Sequence, residues 1–91
     1  MDNFQVPKVV NRHVLQAIYY FSEQNLLDYV PLSTIKLEVM FSMRNVNPVH
    51  DLEAVIESSV KNLTLIGVLK EAISASYEKE YALQLKPAIS S

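Results

Sequence analysis

The chain has 91 residues, 49% of them apolar, with one glycine, no cysteine and a net charge of -2 from eight Lys/Arg against ten Asp/Glu. A chain this short makes one small domain that buries roughly 60–65% of its unfolded surface. The composition excludes a disordered chain, a glycine-rich phosphate loop, a disulfide framework and a zinc–thiolate site.

The bases Lys8, Arg12, Lys36, Arg44, Lys61, Lys70, Lys79 and Lys86 are scattered singly. Phosphate neutralisation supplies most nucleic-acid affinity, so the lack of a basic stripe runs against that class of ligand. The start MDNFQVPK has no basic, then apolar, leader pattern. No run of about 18 apolar residues is present to cross a membrane.

Residues 1–10 read as a lead-in, with Pro7 keeping Val6 extended. Asn11 is the expected cap of a first helix over 11–25, whose inner face is Val14, Leu15, Ala17, Ile18 and Phe21. Tyr19 and Tyr20 flank that face, either closing the core with their hydroxyls in water or anchoring a partner. Asn25 stops the helix, and LLDYVP reads as a turn into a short extended piece.

Ser33 or Thr34 is expected to cap a second helix over 33–44, with Ile35, Val39, Met40 and Met43 as its core stripe. Leu37 and Phe41 lie four residues apart on the opposite side, where an amphipathic helix is normally polar. Three readings stand for this pair: the helical phase is off by one residue, the lead-in residues Phe4, Val6, Val9 and Val10 fold back over it, or it faces a partner.

After the break at NVNP, a third helix is expected over 49–66, with Leu52, Val55, Ile56, Ser59, Val60, Leu63 and Ile66 on one face and Gly67 as its left-handed stop. VLKEAI (68–73), a polar tip SASYEKE (74–80) and YALQL (81–85) read as a two-strand hairpin, and 86–91 as a frayed tail. The predicted class is mainly α with a small β-hairpin. Its order of helix, extended piece, helix, helix, strand and strand is that of a winged helix over 11–85.

VLQAI at 14–18, STIKLEVMF at 33–41, DLEAVIESSVKNLTLIGVLKE at 51–71 and YALQL resemble the globular domain of linker histones. They are also similar to insect winged-helix-like domains of unassigned function. The resemblance spans about residues 11–85 and implies a nuclear, chromatin-associated setting. It also implies DNA binding through Lys and Arg on the second and third helices and in a basic wing. Here the chain departs from the family. The outward face of the third helix is Ala54, Glu57, Ser58, Lys61 and Leu65, edged by Glu53, and the hairpin tip carries two acids and one base. Like charge against phosphate costs affinity.

Chemistry is poorly represented. His13 and His50 sit at the starts of different helices without metal-ligand spacing. Asp51, Glu53 and Glu57 suit the positive end of a helix dipole. Asn62-Leu63-Thr64 matches a glycosylation sequon but falls within a helix. No catalytic residue, cofactor or metal is therefore expected.

The reading is a non-enzymatic protein-interaction module, the N-terminal domain of a larger regulatory protein, docking another protein or a second copy as a homodimer. Its contact residues would be Leu37, Phe41, Leu65 and Tyr77. The alternative is a sequence-tolerant DNA or RNA binder using Lys36, Arg44, Lys61 and Lys79.

Overall fold

Pro7 sets the start of the first helix. The computed structural model describes residues 6–24, 28–46 and 49–84. Within them α1 runs Lys8–Gln24, three residues ahead of the expected start. The Pro7 carbonyl accepts from the backbone N–H of Val10 at 3.0 Å and of Asn11 at 3.3 Å. Proline suits the edge of a helix, where a missing N–H leaves no bond unmade. Asn11 is therefore inside the helix, not its cap. Its Oδ1 accepts a hydrogen bond from the Ser59 hydroxyl, which is fully buried.

Val30–Pro31 form a short strand, β1, and α2 follows at once over Leu32–Ser42. Neither Ser33 nor Thr34 caps it; the cap position is Pro31, which makes no side-chain cap bond. A carboxylate from elsewhere does the capping. The Ser33 N–H donates to Glu78 Oε2 at 3.0 Å, 45 residues away in sequence.

The third helix, α3, spans Leu52–Leu65 after Asp51, which takes a left-handed conformation at φ 57°. Its end is a Schellman arrangement. The Val68 N–H reaches the Leu63 carbonyl at 2.9 Å and the Gly67 N–H reaches Thr64 at 3.1 Å. Gly67 sits at φ +88°, as the sequence requires of it.

The chain closes with β2 (Leu69–Ile73) and β3 (Lys79–Leu83), so the turn is 74–78, tighter than the expected tip. β3 lies between β1 and β2, antiparallel to both. The expected hairpin is thus a three-stranded antiparallel sheet, because LLDYVP supplies a strand paired at Val30↔Tyr81 and Pro31↔Glu80. Tyr81, opposite Glu71 in the other ladder, donates its hydroxyl to Glu71 Oε2 at 2.8 Å. Burial first, then the bond to Glu71, pushes the Tyr81 phenol above the usual tyrosine value.

The core joins Val10, Val14 and Ile18 of α1, Ile35 and Val39 of α2, and Val55, Ile56 and Val60 of α3, with Val30, Leu69 and Tyr81 from the sheet. Two residues expected inside are outside. Met40 is 40% exposed, because the buried line of α2 is Ile35, Val39 and Met43, and one further residue turns the side chain about 100° away. Ile66 is 71% exposed, since it occupies the C-cap, where the helical phase ends. Among the described residues no helix is long and apolar enough to cross a membrane. Phe4, Asn25, Pro48 and the tail 86–91 lie outside the described residues.

Candidate docking surface

α2 is apolar on both sides. Ile35, Val39 and Met43 point inward, while Leu37 is 71% and Phe41 61% exposed, with Met40 beside them. Their spacing places Leu37, Met40 and Phe41 within about 100° of arc. Val9 and Val10 belong to α1, where Val10 is fully buried, so neither forms a loose strap over this face. Large apolar residues grouped on one exposed helical face mark interaction surfaces more often than single ones do.

Beside Leu37 and Met40 lies a groove of about 440 Å³. Its apolar lining is Leu32, Leu37 and Met40, and its polar lining among the described residues is Ser33, Lys36, Glu53 and Glu78. Three elements build it: the outer side of α2, the first turn of α3 and the turn between β2 and β3. The turn is held in place by Glu78. The Ser33 hydroxyl and backbone N–H hold the Glu78 carboxyl below the usual carboxylate range. Inside the turn, the Ser74 N–H donates to the Glu78 carbonyl at 2.9 Å, and Tyr77 adopts φ 65°.

A second groove, of about 410 Å³, runs between α3 and the sheet and includes Lys61, Leu65, Lys79 and Tyr81. The two grooves share Leu32. Lys36 lines one and Glu57 the other, and the two side chains meet at 2.5 Å in an ion pair across α2 and α3.

The structure sorts the residues singled out from the sequence. Leu37 and Phe41 share one face, which Met40 joins. Leu65 is exposed but lines the second groove, and Tyr77, exposed at the turn, lines neither. Each of the four candidate phosphate ligands but Lys61 has a contact of its own. Lys36 is paired with Glu57, and Lys79 lies 3.8 Å from Glu71. Arg44 donates to the Phe41 carbonyl at 2.8 Å and lies over the Phe41 ring at 4.0 Å. Lys61 and Lys79 line one groove, and Glu57 and Glu71 line it with them.

Sequence reasoning missed Met40, Glu53 and Glu78 as parts of one groove. Glu53 was legible as a helix-dipole residue, but nothing local signals that Glu78 reaches α2. His13 Nδ1 lies 2.8 Å from Ser42 Oγ, joining α1 to the end of α2, and His50 is exposed. Comparison with protein-family models, with curated proteins and with solved structures finds no match to this chain.

Proposed function

We propose that this is a non-enzymatic protein-docking module on a winged-helix scaffold, with the outer side of α2 as its contact face. The scaffold assignment is supported by the order α1, β1, α2, α3, β2, β3 and by a sheet in which β3 separates β1 from β2. The docking assignment rests on one observation: Leu37, Met40 and Phe41 form a contiguous exposed apolar stripe on a helix whose other side already fills the core. An apolar centre with a charged rim is the ordinary anatomy of a protein interface. The nuclear, chromatin-associated setting is part of the proposal through the resemblance.

The nucleic-acid reading is less well supported. In a winged helix α3 is the reading helix, and here its outward carboxylate Glu57 occupies Lys36. Phosphate has to compete with Glu57 for that ammonium, and Glu53 stands nearby with no gain to offer an anion.

The test is the double variant Leu37→Asp, Phe41→Asp. Both side chains are mostly in water, so the variant keeps the wild-type fold and loses at most about 1 kcal/mol of stability, about 0.5 kcal/mol per surface substitution. It loses whatever protein the wild type binds. A folded double variant that keeps its partner overturns the reading.

A further inference from the structure

We infer that the groove over α2 takes a basic amphipathic helix: a partner segment with an apolar stripe for Leu37, Met40 and Phe41, flanked by Lys or Arg. The inference rests on the docking reading above and names the chemistry of the partner.

The occupant is helical because the groove offers no strand edge. Its walls are α2, the first turn of α3 and the Glu78 turn, and none of its lining residues belongs to β1, β2 or β3. Strand addition needs a free row of backbone groups, whereas an apolar ridge at i, i+3 and i+4 is what another helix packs against. Leu37, Met40 and Phe41 have that spacing.

The occupant is basic because the rim is acidic after internal pairing. Glu53 and Glu78 line the groove, and the only base lining it among the described residues, Lys36, is already held by Glu57. Glu38 lies about 100° from Leu37 on the other flank of α2. Ser33 holds the Glu78 carboxyl below the usual range, which favours its charged form. The second groove has no such acidic excess: with Glu57 paired to Lys36, Glu71 faces Lys61 and Lys79 there. At the far end of α2, Arg44 lies on the Phe41 ring and marks where the acidic rim stops. An acidic segment laid on Leu37 meets uncompensated carboxylates, whereas a basic one pairs with them, and such complementarity sets partner choice.

The experiment uses the full chain and two fluorescent synthetic peptides of about 16 residues, long enough to cover α2. One is built of Leu, Ala and Lys with Leu at i, i+3, i+4 and i+7; its twin has Glu at every Lys. Anisotropy titrations are expected to show the Lys peptide binding and the Glu peptide at least about tenfold weaker. Glu53→Lys is expected to weaken the Lys peptide roughly fivefold, and Leu37→Asp, Phe41→Asp to abolish its binding.

Equal binding of both peptides, or no effect of Glu53→Lys while Leu37→Asp, Phe41→Asp still abolishes binding, overturns the basic partner and leaves the docking face standing. Binding of neither peptide overturns the basic partner. If light scattering then shows a dimer that Leu37→Asp, Phe41→Asp splits, a second copy is the occupant and the docking face stands. Undiminished binding of the Lys peptide to the double variant overturns the partner and the docking face together.

Discussion

Lys36 and Glu57 form an ion pair that ties the flank of α2 to the outward side of α3. The Lys36 side chain is 21% exposed and the Glu57 side chain 53%, so water screens the pair and its net stabilisation is at most about 1 kcal/mol. Its larger consequence is for binding. Glu57→Gln frees one ammonium on the would-be reading surface. The expected result is a small gain in duplex DNA affinity at low salt, with the slope of log affinity against log salt steeper by about one phosphate contact. Thermal melts of the variant and the wild type should nearly coincide. An unchanged DNA titration would place Lys36 away from any phosphate path.

Glu78 is the tether between the β2–β3 turn and the start of α2. Its carboxyl is held below the usual range by Ser33, so its contribution is present above the unfolded carboxylate pKa and is lost as pH falls through the lower folded value. Glu78→Gln is therefore expected to melt below the wild type at neutral pH, with the difference closing in acid. Amide exchange at Ser33 should quicken in the variant at neutral pH. A difference that persists in acid would assign the effect to packing instead of the charge.

Asn11 and Ser59 join α1 to α3 through the core. Ser59→Ala removes the buried hydroxyl and is expected to cost about 1 kcal/mol. Asn11→Leu leaves the fully buried Ser59 hydroxyl without its partner and should cost more, about 1–3 kcal/mol. Combined, the two changes should cost less than their sum, read by denaturant melts in a double-mutant cycle. Strict additivity would contradict the bond.

Gly67 closes α3 at φ +88° with nothing within 4 Å of where a Cβ would stand. Gly67→Ala thus meets only a backbone penalty, about 1–2 kcal/mol. A melting point about 4–8 °C lower per kcal/mol is expected for a domain of this size. An unchanged melting point would mean that the turn relaxes out of the left-handed region.

Local patterns carried much of this fold into view. The inward stripe of α3 from Leu52 to Leu63, the stop at Gly67 and the exposure of Leu37 and Phe41 follow from helical spacing and one glycine. What failed was set by distant contacts or by ends. Asn11 has the side chain of a cap, but Pro7 starts the helix earlier and Ser59 claims the amide. Ser33 has the side chain of a cap too, yet the acceptor comes from Glu78. Met40 was one residue out of phase, and the strand pairing of Val30 with Tyr81 spans half the chain. The groove over α2 stayed hidden for the same reason, since its rim is assembled from three separate elements.

The proposed division of labour gives the exposed face of α2 to protein docking and leaves α3 without a DNA role. The most direct measurement is a titration of the full chain with duplex DNA at low and at high salt, with light scattering on the same sample. At most weak DNA binding at low salt, and none appreciable at high salt, is expected whether the chain is a monomer or a dimer. Tight binding at low salt that collapses at high salt would contradict it, and would make Lys36, Arg44, Lys61 and Lys79 the working site.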